Sequence, residues 1–144
     1  MLVSDILKDK GAKVTMVAGV QTVREALKTM VDNKIGAVLV LDASGEVTGV
    51  FSERDLMRVC NRSEASWGDI SVEQVMTPRV IMCKAEDTTE YVMNLMTQQR
   101  IRHVPVVGEG KKLCGIVTIG DLVKAQLKAT QVQVQYLKDY LHGA

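Results

Sequence analysis

Hydrophobic residues follow two different periods early in the chain, and together they predict a strand, a helix and a second strand. Residues 14–17 form a short β-prone run, and the continuous apolar run at 37–41 has the length of a buried strand. Between these runs, apolar residues from Ala26 to Val31 lie at helical spacing and form one face of a helix. Thr22 is placed to cap this helix, and Glu25 completes a capping box.

A hairpin and a second helix follow the 37–41 run. The polar residues 42–45, ending in Gly45, separate it from a second β-prone run at 47–51, and this arrangement predicts a β-hairpin. Ser52 then stands at the start of a predicted helix that runs from Glu53 to about Val59.

The same pattern occurs a second time at a constant offset. Residues 49–56, GVFSERDL, return as residues 115–122, GIVTIGDL, and Ile35 returns as Ile101 at the same spacing. The second copy predicts strands at 80–83, 103–107 and 113–118, a helix capped by Thr88 and a last helix from Asp121. A constant register without a gap indicates that one supersecondary unit was duplicated, and duplicated units usually pack against each other.

Each copy is preceded by a similar apolar segment, residues 3–7 and residues 72–76, which we call the two prefaces. The polar residues 61–69 between the copies predict a surface linker. This linker contains the only tryptophan, Trp67, which can attach it to a domain. The sequence therefore predicts one repeat at 1–66 and a second at 67–144, the second with an extended C-terminal helix.

The last helix carries a stripe of mostly apolar residues at alternating steps of four and three, which is typical of a coiled-coil seam. Its members are Val123, Leu127, Thr130, Val134, Leu137 and Leu141. Two interpretations remain open. The helix either lies on its own domain with this face buried, or it pairs with a partner helix at a subunit interface.

Composition excludes several function classes. The formal net charge of the 144 residues is +1 and aromatic residues make up 3%, so we expect neither a nucleic-acid nor a membrane partner. The three cysteines do not lie at metal-ligand spacing, and we interpret them as thiols of a reducing compartment. The N-terminus does not resemble a signal peptide, and no apolar run reaches 18 residues, so we expect a cytoplasmic protein.

Motifs of catalysis do not stand out in the sequence. It has no evident nucleophile–base pair, metal cluster, phosphate-binding Walker loop or dinucleotide-binding glycine motif. We therefore expect a protein that is not an enzyme, without a catalytic cofactor or a metal.

Both copies end in a strand of the form Gly-apolar-apolar-Ser/Thr, followed by x-x-Asp at a helix start. In this motif, and in the Ile-x-x-Val-x-Val strand before it, the sequence resembles a tandem pair of cystathionine-β-synthase (CBS) domains, a Bateman module, over nearly its whole length. The resemblance implies an α+β fold of two β-α-β-β-α repeats that pack through their sheets with pseudo-twofold symmetry. It also implies clefts between the repeats that bind an adenine nucleotide or a related adenosyl ligand, and assembly into a homodimer.

Asp55 and Asp121 are the candidate ribose ligands, because one carboxylate can accept hydrogen bonds from both hydroxyls of a ribose. Each lies in the first turn of a predicted helix, where free backbone N–H groups favour a phosphate. Ser52 and Thr118 offer a hydroxyl that can cap the helix or donate to the ligand. The glycine of each motif leaves room for a flat base. The alternative is that both Ser/Thr-x-x-Asp patterns are simple helix caps.

The copies differ in the charge they offer to a phosphate. Arg102, His103 and Pro105 in the second copy stand where the first has Gly36, Ala37 and Leu39, and the resemblance places a basic phosphate contact there. These positions, Leu39 excepted, are nucleotide-binding candidates. Arg54 supplies a charge in the first copy only. Each arginine has the alternative of a solvated surface residue, and His103 that of a packed strand residue. Thr15 is a further candidate, whereas Lys13 and Arg79 are interpreted as surface residues.

These features predict a regulatory module that binds AMP foremost, with ADP, ATP or NAD(H) as alternatives. The module would act on a partner protein that the sequence does not identify. The alternative function is a purely structural dimerisation module without a ligand.

Overall fold

In the residues that the structure describes, ten helices and strands follow the duplicated pattern, except that the expected strand at 80–83 is not formed. The computed structural model describes residues 1–11, 14–62 and 66–143. The elements are α1 Val3–Lys10, β1 Met16–Ala18, α2 Val23–Asn33, β2 Ala37–Leu41, β3 Val47–Ser52, α3 Glu53–Cys60, α4 Thr89–Gln99, β4 His103–Val107, β5 Leu113–Thr118 and α5 Ile119–His142. Three single 3₁₀ turns, Trp67–Asp69, Val72–Gln74 and Glu109–Lys111, lie between them.

Each copy forms its own small sheet, and the architecture is the predicted α+β arrangement. In the first, β1 pairs parallel with β2, and β2 pairs antiparallel with β3. In the second, β4 and β5 form an antiparallel hairpin. The hydroxyls of Thr22, Ser52, Thr88 and Thr118 each accept a backbone N–H in the first turn of their helix, which confirms the predicted cap residues. The last helix begins at Ile119, two residues before the predicted Asp121.

The predicted strand at 80–83 is wrong, because only Cys83 makes a parallel bridge there, to Val106. The N–H of Cys83 donates to the carbonyl of Pro105 at 3.0 Å, and the N–H of Val107 donates to the carbonyl of Cys83 at 2.9 Å. The next rung of this ladder would need an N–H on Pro105, which proline lacks. The first copy has Leu39 at this position, and there the ladder continues as β1 beside β2.

The two prefaces are exchanged between the copies. The first preface, within α1, buries Val3 and Ile6 in the core of the second copy. The second preface buries Val72 in the core of the first copy. Equivalent backbone hydrogen bonds hold both, since the N–H of Val3 donates to the carbonyl of Asp87 at 2.9 Å and that of Val72 to the carbonyl of Gln21 at 2.8 Å. Each core is therefore completed by a segment that the sequence assigns to the other repeat.

The motif glycines accommodate the exchanged prefaces. A Cβ atom on Gly115 would lie 2.7 Å from Cδ2 of Leu7 in α1, and a Cβ atom on Gly49 would overlap the sulfur of Met76. The room beside both glycines is therefore already filled by protein. The expectation that a flat base lies against them is wrong.

The final helix has 24 residues, and Leu122 is its one buried side chain among those the structure describes. The apolar seam residues are between 44% and 72% exposed. The interpretation in which the helix lies on its own domain with this face buried is therefore wrong for the seam.

Trp67 attaches the segment between the copies to the first one. Its ring packs against the core of the first copy, and the guanidinium of Arg24 in α2 lies 5.7 Å from the ring centroid. The predicted attachment of the linker through Trp67 is confirmed. Residues 63–65 of the linker lie outside the described residues.

Candidate functional site

A cleft of about 320 Å³ opens between the two copies and is lined by equivalent positions of both. Six pairs related by the offset of the duplication line it: Val14 and Val80, Thr15 and Ile81, Ile35 and Ile101, Ala37 and His103, Leu39 and Pro105, and Val50 and Ile116. The cleft therefore lies across the pseudo-twofold axis. Its walls are mainly apolar, and its volume falls within the range of small-ligand sites.

The polar side chains of this cleft come mainly from one side. Thr118 ends β5, His103 begins β4, and Lys10 ends α1. Arg79 also lines the cleft, from the segment that precedes Cys83. The two copies therefore contribute different side chains to the cleft at equivalent positions, because the first has Ala37 where the second has His103.

Asp121 lies in the first turn of α5, next to this polar group. Its Oδ2 accepts a hydrogen bond from the N–H of Thr118 at 2.9 Å and one from Nζ of Lys10 at 2.6 Å. Lys10 also donates to the carbonyl of Ile116 at 3.1 Å. Burial acts to raise the pKa of Asp121, but the hydrogen bonds and charge from Lys10 and the hydrogen bonds with Thr118 outweigh it and hold this pKa below its usual value. Asp121 is therefore an ionised acceptor whose partner is a movable side chain.

Asp55, the equivalent residue of the first copy, has a different environment. It is 2% exposed. Its Oδ2 accepts from the N–H and the hydroxyl of Ser52 at 2.9 and 3.0 Å, and its Oδ1 accepts from the hydroxyl of Thr77 at 3.0 Å and from Arg58. Both aspartates form the capping box of their helix. Neither aspartate lines the cleft itself, but Asp121 contacts two of its lining residues, Lys10 and Thr118, and lines a neighbouring groove between α1 and α5.

Three charged residues, Lys10, Arg102 and Asp121, influence His103. Burial, followed by the charges of Lys10 and Arg102, lowers the pKa of His103, and the charge of Asp121 opposes this in part. The lowered pKa favours the neutral form of the imidazole. A bound phosphate would reverse the balance of charge around it.

The remaining predicted site residues are distributed as follows. Thr15, Ala37, His103, Pro105 and Thr118 line the cleft. Gly36, Ser52, Arg54, Asp55, Arg102 and Asp121 are not part of its lining. The carbonyls of Gly36 and Arg102 accept the N–H of Glu53 and Ile119 at 3.0 and 2.9 Å, which ties equivalent turns to the starts of α3 and α5. Lys13 lies outside the described residues.

The sequence does not identify two basic residues of the cleft, Lys10 and Arg79. Lys10 precedes the first strand and resembles any charged residue at a helix C-terminus. Arg79 was interpreted as a surface residue, and it is exposed, yet it lines the cleft. Arg79 follows Pro78 at the entry to the second copy, and this position was the one available signal. Because both residues belong to segments outside the repeated motif, motif comparison does not reveal them.

The family follows from comparison with known proteins. A family model described as the CBS domain matches the chain twice, over residues 3–62 and 72–128. The chain belongs to the CBS domain family. It is a tandem CBS pair, and these matches agree with the two copies seen in the sequence.

Relatives of this CBS pair include a plant protein and several solved structures. The CBS domain-containing protein CBSX3, mitochondrial, of Arabidopsis thaliana is 33% identical over 98% of this chain and 72% of its own length. The structure of a CBS-domain-containing protein from Agrobacterium tumefaciens is 43% identical, with a TM-score of 0.76 over 87% of this chain and 98% of that one.

Two structural relatives were determined with adenosine-containing ligands. CBSX2 in complex with AMP is 26% identical, with a TM-score of 0.77 over 90% of this chain and 98% of that one. The CBS domain pair of protein MJ0100, in complex with methylthioadenosine and S-adenosylmethionine, is 25% identical, with a TM-score of 0.72 over 87% of this chain and 98% of that one.

Membrane-spanning and metal-binding features were also sought in the structure. Within residues 1–11, 14–62 and 66–143, none of the helices combines the length and apolar character needed to cross a membrane. Over the same ranges, no group of three or more His, Cys, Asp or Glu side chains is placed to hold a metal ion.

Proposed function

We propose that this CBS pair is a regulatory module that binds an adenine nucleotide, AMP foremost, in the cleft between its repeats. The observation that carries the proposal is the cleft itself, whose apolar walls end at Lys10, Arg79 and His103, with Asp121 beside them. The AMP complex of CBSX2 and the adenosyl complexes of MJ0100 support a ligand of this class.

The proposed ligand pose follows from chemical matching. The adenine lies between the apolar walls, where Val14, Ala37 and Pro105 offer flat contact area. The ribose hydroxyls donate to Asp121, which is ionised at neutral pH. The phosphate lies among the basic groups, where an arginine fork suits its oxygens. Arg54 and Arg102 remain candidates for a longer phosphate chain.

The decisive test is calorimetric titration with AMP, ADP, ATP, NADH and S-adenosylmethionine. AMP is expected to bind, and Asp121→Ala is expected to weaken AMP by about tenfold or more, because ribose loses a charged acceptor worth about 1.5–3 kcal/mol. Asp55→Ala is the matched control, since the same deletion is made at the equivalent position away from the cleft. If Asp121→Ala leaves AMP affinity intact, the ribose assignment is wrong.

Binding rather than catalysis is part of this proposal. Incubation of the purified protein with each nucleotide, followed by chromatography, is expected to return the nucleotide unchanged. Regulation would then require that the ligand binds two states of the module, or of its complex with a partner protein, with different affinity. A reducing compartment such as the cytoplasm stays a prediction. The three cysteines are free thiols.

A homodimer stays a proposal as well, and it is also the core of the alternative function, a structural module without a ligand. The exposed apolar seam of α5 supports it, because large exposed apolar faces mark interaction sites. Truncation after Lys128 removes the distal seam, and light scattering is expected to change from dimer to monomer. Dimerisation together with no heat from any of the nucleotides would favour the alternative function.

A further inference from the structure

The ion pair of Lys10 and Asp121 occupies the group that the proposed ribose contact needs. Nζ of Lys10 lies 2.6 Å from Oδ2 of Asp121, and both side chains are about one-quarter exposed, at 28% and 23%. Oδ2 also accepts the N–H of Thr118, so a ribose whose two hydroxyls use both oxygens of the carboxylate competes with Lys10 for this one. The equivalent carboxylate of the first copy, Asp55, is instead held by Ser52, Thr77 and Arg58 away from the cleft.

Lys10 is also placed to contact a second group after leaving Asp121. It lines the cleft together with Arg79, and it lines a neighbouring groove of about 290 Å³ between α1 and α5. It is the last residue of α1, so its flexible side chain can turn without disturbing the helix. When its ammonium group leaves Asp121, Lys10 regains an ion pair only if another anion lies within reach, and the phosphate of a nucleotide is such an anion.

We propose that Lys10 is the residue by which the cleft selects phosphorylated over unphosphorylated adenosine ligands. In the unliganded protein Lys10 neutralises Asp121. When the ribose hydroxyls take Asp121, Lys10 transfers its contact to the ligand phosphate. AMP replaces the broken ion pair with a new one, whereas adenosine breaks it without replacement. This inference rests on the proposed function, because it requires a ribose at Asp121.

The test measures the affinities of AMP and adenosine for the same protein. Because the two ligands differ only in the phosphate, the ratio of these affinities reports the contribution of the phosphate to binding. Lys10→Met keeps the length of the side chain and removes its charge. This variant is expected to lower the affinity for AMP about tenfold, which corresponds to the loss of a contact worth about 1.4 kcal/mol. Adenosine is expected to bind about threefold more tightly to this variant, because Asp121 then has no partner to give up. Lys10→Arg keeps the charge and is expected to keep most of the preference for AMP.

Two further variants separate this role from simpler ones. Arg79→Met removes another charge from the cleft that does not contact Asp121, and it is expected to weaken AMP without strengthening adenosine. Lys8→Met removes a charge from the same helix outside the cleft and is expected to change neither affinity. In the unmodified protein, the ratio of the affinity for AMP to the affinity for adenosine is expected to fall when salt is added, because salt screens the contact between Lys10 and the phosphate. In Lys10→Met this ratio is expected to fall less.

The outcomes distinguish this inference from the proposed function. An unchanged ratio in Lys10→Met, or an equal loss of affinity for both ligands, would overturn the selective role of Lys10 while leaving adenosine binding in place. Failure of both ligands to bind the unmodified protein would overturn the proposed function, and this inference with it. If Lys10→Met lowers the ratio of AMP affinity to adenosine affinity by tenfold or more and binds adenosine more tightly, the result supports the transfer of Lys10 from Asp121 to the phosphate.

Discussion

Removal of the two equivalent aspartates is expected to have unequal effects on stability. Asp55→Ala deletes a carboxylate that is 2% exposed and leaves the N–H and hydroxyl of Ser52 and the hydroxyl of Thr77 without their acceptor. An unpaired donor costs about 1–3 kcal/mol when it is buried, and these three donors are half-buried, so each is expected to cost about 1 kcal/mol. The side chain of Arg58 is 64% exposed and regains water, so its lost pairing adds little. The expected loss is about 3 kcal/mol.

The same substitution at Asp121 is expected to cost less. Asp121 and Lys10 are both partly exposed, and Lys10 can turn to solvent when its partner is removed. The remaining loss is that of the helix cap at the start of α5, and the loss of such a cap typically costs about 1 kcal/mol of stability. The two single variants therefore differ by about 2 kcal/mol in the free energy of unfolding. With a urea dependence of about 2 kcal/mol per molar, the midpoints lie about 1 M apart.

Urea denaturation followed by circular dichroism measures this difference, and the fluorescence of Trp67 provides a second probe at the first core. Because both variants delete the same atoms, differences in side-chain transfer cancel to a first approximation. Equal midpoints, or a lower midpoint for Asp121→Ala, would refute the argument. Such a result would mean that the hydrogen bonds around Asp55 contribute no more than an ordinary helix cap.

Three further predictions concern single positions. Gly49→Ala is expected to destabilise more than Gly115→Ala, about 2–3 against about 1 kcal/mol by thermal denaturation, because the first meets a backbone carbonyl at 2.9 Å and the second only a leucine side chain. The folded state lowers the pKa of His103, so the unfolded protein binds the proton more readily, and the free energy of unfolding is expected to fall as the pH decreases below about 6.5. In urea titrations at several pH values, His103→Gln is expected to show a weaker dependence of this free energy on pH. Burial, with the charge of Asp87, raises the pKa of Cys83 to about 12, so a thiol reagent at pH 7.5 is expected to modify the other two cysteines first and Cys83 only on unfolding.

Features that depend on neighbouring residues were predictable from the sequence. The caps at Thr22 and Thr88 and both hairpins depend on residues a few positions apart, so that local spacing contains the necessary information. The duplication added the relation between the copies. It therefore predicted a hairpin in each copy, and the resemblance to CBS pairs implied a cleft between the copies, whose lining includes Thr15, His103 and Thr118.

Features that depend on distant partners were not predictable in the same way. The pairing of Lys10 with Asp121 joins residues 111 positions apart, and neither sequence context indicates the other. Hydrophobic spacing shows that the prefaces bury one face but not which core receives it. The predicted strand at 80–83 failed for a similar reason, because the missing donor is on Pro105 rather than in the segment itself.

The exchanged prefaces impose an order of folding during synthesis. The first core is incomplete until Val72 has left the ribosome, although its own strands and helices are made earlier. The opposite delay applies to α1, which is made first but packs with residues as late as Leu122. A single copy produced alone would leave its own preface and its own core without partners. Two such copies can restore the observed packing when the preface of each packs into the core of the other, as in a domain-swapped dimer.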